Sequence, residues 1–300
     1  MTAREPAALR ICSLLPSATE IIAELGLIDA LVGVSDECRW PPEVVGKTVV
    51  TAARTDLKEL SSVEIDEAVR ASLVEGSLYA VDAALLDALA PDLIVTQDLC
   101  PVCAVSSGDL TTACPVSAEV ISLDPTTLAG VAESVATLAA RVGVVERGAE
   151  IVREMRLKLD AVRDAVRGLE PRRIFVAEWI DPPFSVGHWV PEMVSLAGGV
   201  DVLGRVGEPS RRTTWAEVLA QEPELVVVAP CGFDADEALR RASGLELPVP
   251  VFVVDGDSYF SRPAPRLADG VRQLGHLLHP LAVPDPGLPV HELSRVDVSS

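Results

Sequence analysis

The residues of this chain best placed to do chemistry are its aromatics, because there are so few of them. The 300 residues hold 4 Trp, 2 Tyr and 5 Phe, or 4% of the chain. Only Phe175 and Phe252 fall inside segments that read as strands. Trp40, Tyr79, Trp179, Phe184, Trp189, Trp215, Phe233, Tyr259 and Phe260 fall in or beside expected loops, many just after the carboxyl end of a strand. In open α/β sheets those ends are where ligands bind. A core built on aromatic bulk would reverse this placement, whereas a cleft that grips a large, flat or greasy ligand produces it. Tryptophans in loops also pin loops down, so no single one identifies a site.

The densest cluster is Glu178 to Glu192, EWIDPPFSVGHWVPE, with Trp179, Phe184, His188 and Trp189 around Pro182-Pro183 and Gly187. Adjacent prolines stiffen a loop directly after a strand, and Gly187 lets the backbone turn before a helix that begins near Pro191. His188 reads as a metal ligand, a donor to a ligand's polar group, or a hydrogen-bonding brace, and a brace is the commonest role for a lone histidine. Ser13, Ser17 and Thr19 follow the first strand and can present hydroxyls and helix-start amides to a ligand. Cys100-Pro101-Val102-Cys103 has the C-x-x-C spacing of zinc and thiol-redox sites. No second C-x-x-C or H-x-x-x-H accompanies it, so structural thiols come first, thiol chemistry second and zinc third. Asp255-Gly256-Asp257 has the composition of a calcium loop without its spaced acids or terminal glutamate. There is no G-x-S-x-G, P-loop, H-E-x-x-H or G-x-G-x-x-G after the first strand, so no enzyme is expected and no catalytic residue is assigned.

The elements that must position these residues follow from pattern. Arg10 to Leu15 reads as a strand, and Pro16 opens a helix to about Leu25 that Gly26 stops. Leu31 to Val34, Thr48 to Thr51, Leu93 to Thr96 and Val120 to Leu123 read as strands, with helices over Ser62 to Ser72 and Asp82 to Leu89. Thr126 to about Leu169 carries no strand signal, only two helical stretches divided by Gly143, the second heavily charged. Arg173 to Glu178, Leu225 to Ala229 and Val251 to Asp255 then restart the alternation. The expected class is α/β, two Rossmann-like lobes with central parallel sheets joined by a long interlobe α-helix. The boundaries are 10–124, 125–170 for the connector, 171–279, and an irregular tail over 280–300. Ala90-Pro91-Asp92-Leu93-Ile94-Val95 recurs as Glu222-Pro223-Glu224-Leu225-Val226-Val227, 132 residues later. Proline and acid before a strand are also ordinary loop chemistry, which leaves the echo suggestive.

Bulk composition excludes several classes. With 49% hydrophobic and 23% charged residues the chain is globular, and its length allows two domains. A formal net charge of −20 repels nucleic acid and anionic membranes. MTAREPAALR at the start has no apolar run of signal-peptide length, and no later segment is long enough to span a membrane. A cytoplasmic protein is expected as the chain is written, a periplasmic or cell-surface one if the true start lies upstream. The six cysteines are then mostly reduced thiols.

Leu14-Leu15-Pro16-Ser17-Ala18-Thr19-Glu20, Gly33-Val34-Ser35-Asp36 with Cys38 and Trp40-Pro41, and Ala90-Pro91-Asp92-Leu93-Ile94 resemble the helical-backbone (class III) substrate-binding proteins of ABC transporters. The likeness runs from about Arg10 to about Leu278. The Trp179 to Trp189 loop and the Trp215 region resemble its cobalamin-binding branch. The resemblance implies a corrinoid such as cobalamin, a haem or another metal chelate as bound ligand, no intrinsic cofactor, an ABC permease as possible partner, and a monomer. Ser17, Trp40, Tyr79, Trp179, Phe184, His188, Trp189, Trp215 and Tyr259 are the expected ligand-binding residues. Two alternatives stand beside this reading: a metal- or cluster-binding enzyme using Cys38, Cys100 and Cys103, and a ferric-siderophore or haem binder.

Overall fold

The computed structural model describes residues 9–54, 60–75, 78–99, 108, 110 and 118–293. The chain divides into two compact units, one of Met1–Glu59, Ile65–Asp124 and Thr137–Gly148, the other of Leu60–Glu64, Pro125–Ala136 and Ala149–Ser300.

In the first unit, β1 (Ile11–Ser13), β2 (Leu31–Val34), β5 (Leu93–Thr96) and β6 (Glu119–Ser122) form a parallel sheet in the order β2-β1-β5-β6. Its two central strands, ICS and LIVT, are buried throughout, as the apolar run of LIVT leads one to expect, whereas β6, where Val120 to Leu123 reads as an equally buried run, lies at the sheet's edge and is partly exposed. Gly33 permits the close approach of β2 to β1, since a Cβ there would lie 2.6 Å from Cys12 Sγ. The helices Pro16–Glu24 and Ala83–Leu89 start and stop near their expected limits, the second capped by Asp82 accepting from Leu85 N–H. The strand expected over Thr48 to Thr51 lies slightly later, as β3 (Thr51–Ala53), antiparallel to β4 (Tyr79–Val81).

In the second unit, β7 (Arg172–Ile180), β11 (Leu225–Val228) and β12 (Val251–Val254) are parallel and central, bordered by β8 (Pro183–Ser185), β9 (Gly199–Asp201), β10 (Arg211–Arg212) and β13 (Val290–Leu293). β8, β10 and β13 run antiparallel to their neighbours. The parallel expectation therefore holds for the centre of this sheet and for β9, and not for the other border strands. The segment from Pro280 is not irregular throughout, because Val290–Leu293 pairs along the whole of β12. Phe175, Val226, Val228 and Val253 meet Val218, Ala238 and Ala242 in the core of this unit. The charged stretch expected before it consists of two helices, Leu128–Val142 and Val145–Ala165, separated at Gly143, whose φ of +80° suits glycine. Ile151, Met155, Leu159 and Val162 face inward along the second.

The sequence echo has a physical counterpart in each unit. Ala90 and Glu222 both take positive φ, 43° and 51°, after a helix and before a proline. Asp92 accepts from the backbone N–H of Arg10, and Glu224 from that of Arg173. In return the N–H groups of Asp92 and Glu224 donate to the carbonyls of Arg10 and Arg173. The guanidinium of Arg10 caps the Leu89 carbonyl, while that of Arg173 reaches the carbonyls of Gln221 and Glu222. The same clamp fastens the end of a helix to the start of a central strand twice.

Candidate ligand-binding site

The end of β1 and the first turn of the helix after it carry the hydroxyls singled out above, and most of these are already occupied. Thr19 Oγ1 donates to Ser13 Oγ at 2.8 Å and lies 3.0 Å from Cys38 Sγ, and Ser13 Oγ donates to the Leu15 carbonyl. Asp36 accepts from Thr51 Oγ1 at 2.6 Å and from Ala53 N–H at 3.0 Å. This buried net ties the first two strand ends to β3. Ser17 sits in the first turn of its helix and is 2% exposed. Trp40 is 43% exposed and precedes a cis peptide to Pro41. Tyr79 opens β4 and packs partly against the core around Cys12 and Leu86.

The second unit gathers most of the aromatics. β7 extends two residues beyond the expected strand and takes in Trp179, which lies directly opposite Phe184 on β8. Opposed residues of an antiparallel pair share a face. Phe233, in the loop after β11, packs on Trp179 with centroids 5.4 Å apart and the rings tilted by 30°, and the Arg241 guanidinium covers the Phe233 ring at 4.3 Å. Trp179 Nε1 donates to the Ser62 carbonyl and Arg241 to that of Leu60, so the segment Leu60–Glu64 is fastened to this platform. The sequence places Phe233 among the loop aromatics but not among the expected binding residues, and it gives Arg241 no role. The position of Phe233 right after the buried run Leu225–Val228 was the available signal, whereas nothing in the sequence marks Arg241.

Beyond the platform the chain makes a braced loop. Gly187 is obligatory there: a Cβ would lie 2.5 Å from Ser210 N and 2.6 Å from the Pro209 carbonyl carbon. His188 takes φ +49°, donates its N–H to the Glu208 carbonyl at 2.7 Å and accepts from Gly207 N–H at 2.9 Å. Burial lowers the pKa of its imidazole, which is therefore neutral at physiological pH. Trp189 stacks beside it at 5.7 Å but is itself buried, and its Nε1 donates to the Phe260 carbonyl at 2.8 Å. Tyr259 lies on a single π-helical turn, Asp257–Ser261, with the Arg266 guanidinium 5.6 Å over its ring. Trp215 begins a helix and sets its ring edge-on to Phe175 at 5.9 Å, against the core.

The acidic run after β12 serves internal structure. Asp255 accepts from Ser258 N–H, and Asp257 holds the buried Arg262 through two bonds of 3.0 and 2.6 Å. Burial, with Asp257 and Asp234 nearby, raises the Asp255 pKa. No group of three or more His, Cys, Asp or Glu suited to a metal ion occurs among the described residues. Cys38 is buried against Thr19, while Cys100, Cys103 and Cys114 lie outside the described residues.

The second unit thus sets packed rings and a fixed imidazole in the loops at its strand ends, on a scaffold of two α/β units that is that of a periplasmic binding protein. The family model described as "Periplasmic binding protein" matches residues 11–246, and the chain belongs to that family. It is 26% identical over 271 residues to the vitamin B12-binding protein of Vibrio cholerae, covering 88% of this chain and 87% of that one. The vitamin B12-binding protein of Yersinia pestis is 26% identical over 283 residues, 91% of this chain and 88% of its own. Among solved structures, the periplasmic vitamin B12 binding protein of Vibrio cholerae superposes with a TM-score of 0.64 at 22% identity, over 90% of this chain and 96% of that one. A periplasmic heme binding protein from Pseudomonas aeruginosa gives 0.65 at 20% identity, over 95% of both. The expectation of a non-enzyme is borne out by this membership, and the cluster-enzyme alternative gains no support from it. The expectation of a cytoplasmic protein likewise finds no support among relatives described as periplasmic. Among the described residues no helix is long and apolar enough to cross a membrane.

Proposed function

We propose that this protein is the substrate-binding component of an ABC-type uptake system for a large metal chelate, with a corrinoid such as cobalamin as the first choice. The observation that carries the choice is the 26% identity to a vitamin B12-binding protein over 88% of the chain. Trp179 and Phe184, backed by Phe233, form a ring platform suited to a flat ligand, and Tyr259 of the same unit supplies further wall. Trp189 and Trp215 act from behind, since their rings are committed to Phe260 and Phe175. The partners under this reading are the small ligand and a membrane permease, and the working compartment is the periplasm or cell surface. Haem is the second reading, favoured by the heme binding protein that superposes equally well.

Native mass spectrometry of the purified protein reads any co-purifying ligand. Titration with cyanocobalamin and with haemin, followed by tryptophan fluorescence, then separates the two. Micromolar binding of cyanocobalamin and a loss of about thirtyfold in Trp179→Ala are expected, the loss being that of a buried aromatic anchor of about 2 kcal/mol. Binding of haemin alone would replace the corrinoid by haem, and binding of neither would overturn the chelate reading.

A further inference from the structure

His188 invites a simple assignment as axial ligand to the metal of the bound chelate, since it is neutral and lies in an aromatic loop. The surroundings of its ring argue otherwise. Nδ1 is sealed from solvent and has no hydrogen-bond partner among the described residues. In a neutral imidazole one nitrogen carries the hydrogen and the other a lone pair. A histidine that ligates a metal through Nε2 must carry its hydrogen on Nδ1, where it is almost always accepted by a carbonyl, a carboxylate or water. No such acceptor meets Nδ1 here. A stranded buried N–H is avoided more strictly in proteins than an under-used acceptor, so the hydrogen belongs on Nε2.

The ring is also poorly placed to escape this choice. Its backbone is held at positive φ between Glu208 and Gly207, and Gly187 beside it is enclosed by residues 208–210. Trp189, stacked on one face, is fixed in turn by its bond to the Phe260 carbonyl. His188 as a residue is partly exposed, and of its two ring nitrogens only Nδ1 is both sealed and without a partner, which leaves the Nε2 edge as the part that can meet a ligand. The geometry points to His188 as a tautomer-locked donor, Nε2–H, that recognises an acceptor oxygen on the rim of the bound chelate and does not coordinate its metal. The acceptor is a carboxylate or an amide carbonyl, chemistry that both haem and corrinoid rims offer. The inference rests on the chelate reading for its ligand, while the tautomer itself is a property of the free protein.

Two experiments decide it separately. Long-range nitrogen–proton correlation spectra of the free protein, labelled at histidine, should show His188 protonated on Nε2 and bare on Nδ1. The opposite tautomer would overturn the inference whatever ligand binds. In titrations with aquocobalamin and with haemin, His188→Gln, whose amide nitrogen can stand near the Nε2 position, should bind within about threefold of the unaltered protein. His188→Asn, which tolerates positive φ but is too short, should bind about tenfold more weakly, as expected for one lost hydrogen bond to ligand. The visible spectrum of the bound chelate should be the same in all three proteins. Imidazole-ligated bands that vanish in both variants would overturn the donor role in favour of coordination. Equal affinity of all three proteins would also overturn it. If neither chelate binds, the proposed function falls, and the tautomer spectrum still settles the state of the ring.

Discussion

Asp201 offers a quantitative test of how burial and hydrogen bonding compete in the second unit. β7 changes partners along its length, pairing with β9 through Ile174 and with β8 from Ala177 onward. The N–H of Val176 falls in the gap, and Asp201 reaches across to accept it at 3.0 Å. The same carboxylate accepts from Leu203 N–H at 3.0 Å and Gly204 N–H at 2.5 Å. Burial pushes its pKa up to about 6, against the opposite pull of these three donors. Because the folded value exceeds that of the unfolded chain, the folded state binds the proton more tightly. The linked stability is fully present below about pH 4 and is lost as pH rises through about 6. A shift of roughly two units corresponds to about 3 kcal/mol. Asp201→Asn keeps an acceptor oxygen and removes the titration. In urea unfolding followed by circular dichroism, the stability of the unaltered protein relative to Asp201→Asn should therefore fall by about 2 kcal/mol from pH 4 to pH 7. A relative stability that rises over that window would show that the donors outweigh burial, and would refute the reasoning.

Other substitutions probe the loop and the core. Gly187→Ala should destabilise the protein by more than about 3 kcal/mol, because the Cβ meets backbone and no rotamer change relieves it; a melting temperature within a degree or two of the unaltered protein would contradict this. Trp189→Phe leaves the Phe260 carbonyl without its indole donor and should lower stability by about 1–3 kcal/mol in denaturant titrations. Cys12 is fully buried and its thiol is pushed up to about 12, mainly by burial. Iodoacetamide at pH 8 should therefore spare Cys12 in the native protein, and peptide mapping that finds it alkylated before unfolding would count against the packing described for β1.

Much of the fold was legible because its central strands are buried on both faces. Leu31–Val34 and Leu93–Thr96 appear at their expected limits, and the helix punctuation by Pro16, Asp82 and Gly143 follows from backbone chemistry alone. The border strands of the second sheet were not legible. Pro183–Ser185, Gly199–Asp201 and Arg211–Arg212 are two or three residues long, too short for any period to show, and Arg211 and Arg212 are exposed. Val290–Leu293 was hidden by the prolines before it, since a proline-rich approach says nothing about the strand it leads to. At the site, scarcity of aromatics drew attention to Trp179, Phe184, His188 and Trp189, which the structure does place around one run of backbone. What composition could not convey was how each ring is used. Whether an indole presents its face or spends its N–H on a carbonyl, as Trp189 does with Phe260, depends on residues 71 positions away.

The repeated clamp at Arg10 and Arg173 bears on the history of the chain. Its two copies differ in the details that drift easily: Asp92 against the longer Glu224, and one arginine against two, since Arg172 also pairs with Glu224 at 2.9 Å. They agree in what drift cannot easily replace, a left-handed residue, a proline and an acid locked onto the backbone of the first strand. An ancestral half-length gene that was copied in tandem would leave this imprint, with resemblance erased wherever many sequences satisfy the packing and retained where a helix must hand the chain over to a central strand. The junction where a helix hands the chain to a central strand is thus where the two units are most alike, and breaking either copy, by Asp92→Ala or Glu224→Ala, should loosen its own unit and leave the other's clamp in place.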